Sequence, residues 1–336
     1  MSALDAGAAL PRRKVEILPA LTPLIVALVA APFVGSFSTF LTLTAAGLAM
    51  GMMIFTMASG LTLVFGMMDV LNFGHGAFIA LGAYVATLVL LPLASWSSAD
   101  SLALNLAVFL LAVVAAGLVC GAFGWVFERL IVKPVYGQHL RQILATIGGS
   151  IIAEQLLYAV FGPDQIPLPL PTTLQGSFVF GETAIEKYRV LATIIGLVVF
   201  AGEMLVLNRT KIGLLIRAGV ENREMVEALG YRIDRLFVGV FMAGSALAGL
   251  GGAMMALYRG QVHATMGGEF LVLCFIVIII GGLGSVGGSF VASILVALIA
   301  NYAGFLAPKL ALVSNILAMV VVLLWRPRGL YPVSGR

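Results

Sequence analysis

Ten apolar runs follow one another along this chain, and each is close to the length that a helix needs to cross a bilayer. They begin at about Ile17 and continue as Phe40 to Phe65, Ala77 to Leu93, Leu102 to Phe127, Ile143 to Phe161 and Val190 to Leu207, then Leu236 to Leu257, Phe270 to Leu283, Phe290 to Leu306 and Leu310 to Trp325. A spanning helix takes about 20 apolar residues. With 61% of 336 residues hydrophobic and 10% charged, at a mean hydropathy of +1.10, the composition has room for about ten such spans. The runs are uninterrupted rather than alternating, and in lipid a helix satisfies its own backbone, so strands are excluded. A disordered chain, a disulfide scaffold, a soluble enzyme and a separate aqueous domain are excluded by the same composition. The expected fold is an all-α polytopic integral membrane protein with short loops and about ten transmembrane or partly re-entrant helices.

Charge orients this body. No charge interrupts Ile17 to Met68, so the basic start at Arg12, Arg13 and Lys14 reads as the flank of an uncleaved first span rather than as a removed leader. Placing both termini inside puts fifteen of the nineteen Lys and Arg in cytoplasmic segments. Only Lys187, Arg189, Arg259 and Lys309 remain outside. The expected division is a cytoplasmic segment 1–16, one transmembrane domain 17–325 and a cytoplasmic tail 326–336. The net charge of +4 follows from this bias and calls for no nucleic acid. Cys120 and Cys274 lie inside apolar runs and read as buried packing residues. Phe270 to Leu283, 14 residues long, spans about 21 Å as a helix, short of a core of about 30 Å, which suggests a broken or re-entrant element.

The longest cytoplasmic interval is 208–235. Within it, Glu221, Asn222, Arg223, Glu224, Met225, Val226, Glu227, Ala228 and Leu229 pattern as a short amphipathic helix. Met225, Val226 and Leu229 share a face, and Gly230 stands where a C-terminal cap belongs. A helix this short is marginal alone. It docks on a partner or lies on the membrane interface. The chain holds no G-x-x-x-x-G-K-[ST], so any ATP that drives it is hydrolysed by another chain.

Asp69, Asn72 and His75 are spaced by three, so a helix would set them on one face, near Gly66, Gly74 and Gly76. Gly281, Gly282 and Gly284, in the glycine-rich run 281–289, form a second potential break. Paired glycine-interrupted segments point to a transport path; the other reading sets Asp69 in a turn at the water interface. The G-x-G-x-x-G match at Gly282, Gly284 and Gly287 has no strand before it and no acidic residue about 20 positions on, so helix packing or a turn explains it better than a dinucleotide. Gly244, Ala248 and Gly252 form a small-residue ladder that lets helices approach. Glu154 and Glu203 sit in apolar runs, as members of a proton relay or as groups paired near helix ends. Together with Asp69 they make an ion-coupled carrier the alternative function. The outer interval 162–188 holds Pro163, Pro167, Pro169 and Pro171 and reads as an extended connector or a docking surface. No metal-ligand or catalytic motif accompanies any of these groups.

The stretch G-L-T-L-V-F-G-M-M-D-V-L-N-F-G-H-G-A-F-I-A-L-G-A-Y at 60–84 resembles the signature of the membrane subunits of branched-chain amino acid ABC importers, in the H-type rather than the M-type form. E-R-L-I-V-K-P-V-Y-G from Glu128, V-E-A-L-G from Val226, G-G-L-G-S-V-G-G from Gly281 and L-L-W-R-P-R-G-L-Y-P from Leu323 are similar to the family too, in order over about 40–332. The resemblance implies the ABC importer permease architecture in a bacterial inner membrane, without enzymatic activity or a cofactor on this chain. It implies an M-type permease partner, two ATPase subunits that carry ATP and Mg, and a periplasmic binding protein. The implied cargo is leucine, isoleucine or valine, with urea, amides and other amino acids as family variants. On this resemblance Glu221 to Gly230 matches the coupling helix. Asp69, Asn72, His75, Gly281, Gly282 and Gly284 are the candidate path residues.

Overall fold

The computed structural model describes residues 17–332 except Asn222. Its helices are α1 (Ile17–Val34), α2 (Phe37–Met68), α3 (His75–Leu90), α4 (Ala94–Ser97), α5 (Leu102–Phe127), α6 (His139–Phe161), α7 (Lys187–Arg209), α8 (Lys211–Glu221), α9 (Arg223–Ala228), α10 (Ile233–Arg259), α11 (Met266–Gly281), α12 (Val286–Leu306) and α13 (Pro308–Trp325). Each of the ten apolar runs falls on one of these helices, and six of the helices are long and apolar enough to span a bilayer. The remaining four are α1, α3, α11 and α13. At 16 residues each, α3 and α11 reach about 24 Å, short of a full hydrocarbon core.

Helix α2 is the axis of the fold. Its 32 residues extend roughly 48 Å, and from Ala49 to Leu61 its side of contact with the bundle is closed on every face but Met50. It packs against α7, α10, α11 and α12. Small residues permit that density, because without a hydrophobic force between helices in lipid the backbones must approach for dispersion to act. A methyl group on Gly51 would lie 3.0 Å from the Ile294 Cα in α12, and one on Gly60 would overlap the Gly244 carbonyl in α10. Gly244, Ala248 and Gly252 do form the expected ladder: Gly244 meets Gly60, and Gly252 meets the Ile79 backbone in α3. Cys120 and Cys274 are fully enclosed thiols.

Helix α5 does not stop at a loop. It runs on through a π turn at Glu128–Val132 and a 3₁₀ turn at Lys133–Val135. Tyr136 donates to Glu128 Oε1 at 3.1 Å, and Lys133 Nζ lies 3.7 Å from Asp234 Oδ2 at the start of α10. The interval 162–188 is more ordered than an extended connector. Strands β1 (Ile166–Pro167), β2 (Ser177–Phe180), β3 (Thr183–Glu186) and β4 (Gln261–Val262) make two antiparallel pairs, β1 with β4 and β2 with β3. Gly181, at φ 64°, forms part of the tight β2–β3 turn. Asn105 in α5 ties this region to the bundle: its amide donates to the Trp96 and Ala99 carbonyls at 2.8 and 2.9 Å and accepts from Thr173 N–H at 2.8 Å.

Candidate functional site

Asp69, Asn72 and His75 do not share a helical face. Helix α2 ends at Met68 and α3 begins at His75, and the run between them is not helical. Asp69 ends α2 in the left-handed region (φ 53°, ψ 35°), its N–H bonded to the Phe65 carbonyl at 3.0 Å. It is the only non-glycine residue with positive φ among the described residues. Its side chain is 54% exposed, with Oδ2 3.9 Å from His139 Nε2 at the start of α6, so it sits at an open helix end. From there the chain climbs along α6. Phe73 N–H donates to Thr146 Oγ1, two turns above His139, at 3.2 Å. Asn72, almost fully buried, accepts from Gly74 N–H through Oδ1 at 3.0 Å.

His75 thus enters the bundle deep beside α2, fully buried, with Nε2 2.8 Å from the Met57 carbonyl. A carbonyl only accepts, so Nε2 carries the hydrogen. Close backbones frame this end of α3: a methyl on Gly76 would lie 2.7 Å from the Gly267 carbonyl at the start of α11. Spacing by three is also compatible with a turn followed by an N-cap, and the left-handed Asp69 and the N-cap Gly74 make that turn, the other reading of this stretch.

The second glycine run is a turn between antiparallel α11 and α12, not a phosphate loop. Gly282 (φ 99°) and Gly284 (φ 81°) hold backbone conformations that other residues rarely adopt. Ser285 caps α12, its Oγ accepting from Gly288 N–H at 3.1 Å. The two glycine regions meet, since a methyl on Gly66 would stand 2.7 Å from the Gly284 Cα. The segment after α13 completes the site. Leu330 N–H donates to the Ile280 carbonyl at 2.8 Å and Tyr331 N–H to the Gly281 carbonyl at 2.9 Å, filling acceptors that the end of α11 leaves open. Sequence reading gave this segment no structural role; Gly329, two residues after Pro327, is the kind of turn signal it carries. Between α2, α11 and this segment lies a cavity of about 440 Å³ whose walls include Phe65, Asp69, Ile279, Leu283, Leu323 and Arg328.

In the polar interval 208–235 the described helical residues are Lys211–Glu221 (α8) and Arg223–Ala228 (α9), on either side of Asn222. Helix α8 is amphipathic from Lys211 and is capped by Thr210, whose Oγ1 accepts from Gly213 N–H at 3.3 Å. The expected helix at Glu221 to Leu229 coincides with described helical residues on both sides of Asn222. Glu221 ends α8, and α9 starts at Arg223; Asn222 and the side chains of Glu221, Arg223 and Glu224 lie outside the described residues. The cap is as expected. Gly230 (φ 87°) donates to the Glu227 carbonyl at 2.9 Å and Tyr231 to the Val226 carbonyl at 3.3 Å, the paired bonds of a Schellman ending. The expected apolar face is split: Val226 is 3% exposed and packs inward, whereas Met225 and Leu229 are 57% and 70% exposed. Glu227 and Ala228 complete the turn between them. Glu203 lines a mainly apolar cavity of about 620 Å³ between α2, α7, α8 and α10, with Arg235 also in its wall. Glu154 is half-buried on α6. The carboxylates of Asp69, Glu154 and Glu203 stand on different helices, and the described residues bring no three His, Cys, Asp or Glu together for a metal.

Residues 43–325 match the family model described as "Branched-chain amino acid transport system / permease component". The chain is 28% identical to the high-affinity branched-chain amino acid transport system permease protein BraD of Pseudomonas aeruginosa, over 84% of this chain and 93% of that protein. It is 25% identical to LivH of Escherichia coli, over 84% and 92%. It is also 26% identical to LivM of Escherichia coli, over 94% of this chain and 75% of that longer protein. No solved structure matches. These relatives are transport permeases, and they lend no support to the ion-coupled reading of Asp69, Glu154 and Glu203.

Proposed function

The chain belongs to the family of branched-chain amino acid transport permease components, and from that premise we propose that it is the H-type membrane subunit of an ATP-driven importer. With an M-type permease it forms a path for leucine, isoleucine, valine or related amino acids and amides. Two cytoplasmic ATPases drive the path, and a periplasmic binding protein delivers the cargo. The ends of α5, α7 and α13 then face the cytoplasm of a bacterial inner membrane, together with both termini, and the β1–β4 region faces the binding protein.

The single observation that carries this reading is the pair of exposed apolar side chains on α9, Met225 and Leu229, held on a helix end closed by Gly230. This helix end is closed by the backbone hydrogen bonds of Gly230 and Tyr231. Its fixed ending and outward apolar pair suit a knob that seats in a groove of another chain, and we assign α9 to coupling with the ATPase. The broken segment with Asp69, Asn72 and His75, together with Gly281, Gly282 and Gly284, is assigned to the path and its inner mouth. These glycines let backbones move past one another without side chains in the way. Reconstitution in proteoliposomes tests the reading. Leucine uptake is expected only when the second permease, the ATPases, ATP and the binding protein are all present, and is expected to vanish on deletion of Arg223 to Leu229. Uptake by this chain alone under an ion gradient would overturn it.

A further inference from the structure

Asp69 is placed against the interest of its own helix. A left-handed residue at a helix end favours Gly or Asn, and a carboxylate there adds negative charge to the negative pole of the helix. Asn tolerates the same backbone angles and carries no charge. A carboxylate held there, 3.9 Å from His139 Nε2 and in the wall of a cavity, points to a role beyond ending the helix. Arg328 lines the same cavity of about 440 Å³, together with the apolar side chains of Ile279, Leu283 and Leu323. That volume is within the range of small-molecule sites, which combine a mostly apolar lining with a few placed polar groups.

A carboxylate, a guanidinium and an aliphatic wall match the three parts of a zwitterionic aliphatic amino acid. We propose that this cavity, between the end of α2, the α11–α12 turn and the segment 326–332, binds the free amino acid on the side opposite the binding protein. Its ammonium pairs with Asp69, its carboxylate with Arg328, and its branched side chain lies against Leu283 and Leu323. The inference rests on the importer reading above for its cargo and sidedness, and it goes beyond that reading in giving the permease a binding site of its own. Arg328 is held by the main chain around it. The N–H groups of Leu330 and Tyr331 anchor this segment to α11, and the Gly329 backbone packs on Gly282.

The test uses the assembled transporter in nanodiscs, without binding protein or nucleotide, and measures equilibrium binding of radiolabelled leucine. Leucinamide, which keeps the ammonium, and 4-methylpentanoate, which keeps the carboxylate, serve as competitors. Saturable leucine binding is expected, with each analogue at least tenfold weaker. Asp69→Asn and Arg328→Gln should each weaken leucine at least tenfold. The selectivity should change in a way that general damage would not produce: Asp69→Asn should lose the preference for leucine over 4-methylpentanoate, and Arg328→Gln the preference over leucinamide. No saturable binding, analogues that compete as well as leucine, or variants that bind as the wild type does would each overturn the proposal. Uptake from the binding protein, measured on the same wild-type preparation, separates the two readings. If uptake is intact while the variants bind normally, only this inference fails; if the wild type does not import, the importer reading fails.

Discussion

Two glycines of the α11–α12 turn, five residues apart, should respond oppositely to the same methyl group. Gly282 has φ 99°, where a side chain costs about 1–3 kcal/mol of backbone strain. A methyl there would also stand 2.8 Å from the Tyr331 carbonyl oxygen and 3.0 Å from its carbon, both backbone atoms with no flexible end to yield. Overpacking of this kind costs about 1–3 kcal/mol. Relieving it by moving the segment 329–331 away would break the bonds from Leu330 and Tyr331 to α11, at about 0.5–1.5 kcal/mol each. Gly282→Ala is therefore expected to destabilise the protein by roughly 2–6 kcal/mol, since only one of the two routes is taken.

Gly287, in the first turn of α12, has nothing within 4 Å of a Cβ and ordinary helical angles. Gly287→Ala should be neutral or stabilise by up to about 1 kcal/mol. The assay is thermal unfolding of the purified protein in detergent, followed by the fluorescence of a thiol-reactive dye at the enclosed Cys274. A fall in Tm of about 5 °C or more is expected for Gly282→Ala and none for Gly287→Ala. Equal Tm for Gly282→Ala and the wild type, or an equal fall for both variants, would refute the account of the turn.

Met225→Ala and Leu229→Ala should leave Tm unchanged, because these side chains are exposed, yet each should weaken retention of the ATPase subunit in a pull-down by about 1–2 kcal/mol of lost apolar burial. Val226→Ala should do the reverse in part, lowering Tm through about 1–3 kcal/mol of lost packing. Asn105→Leu leaves the Trp96 and Ala99 carbonyls and the Thr173 N–H without their side-chain partner, at about 1–3 kcal/mol for each group that water does not reach. Faster proteolysis between Gly162 and Glu186 would reveal that loss. Gly60→Val should prevent recovery of monodisperse protein, since its Cβ would overlap the Gly244 carbonyl, whereas Gly202→Val, with open space around it, should be tolerated.

The long elements were legible in the residues and the joints were not. A hydrophobic run is a side-chain property and reports a buried helix directly, which is why Leu102 to Phe127 and Leu310 to Trp325 end at the same residues as α5 and α13. The segment between Asp69 and Gly74 left two readings open, because its polar residues recur at helical spacing while its glycines permit a break; the main chain takes the turn. The seating of Leu330 and Tyr331 on α11 is made by backbone groups that every residue carries, so no side-chain pattern announces it. Met225 and Leu229 were correctly singled out as apolar in a polar interval, but their neighbour Val226 could be separated from them only by seeing which way the helix faces.

That seating of residues 329–331 also sets an order of events during synthesis. Helix α11 leaves the ribosome with its Ile280 and Gly281 carbonyls unfilled, and the groups that fill them are made only after α12 and α13 have been translated. Until then the turn at Gly282 is an open seam that water or a chaperone must cover. A chain stopped just after Trp325 would carry all ten apolar helices into the membrane and still never close it. Closing the turn at Gly282 thus depends on backbone groups that are made only after both following helices.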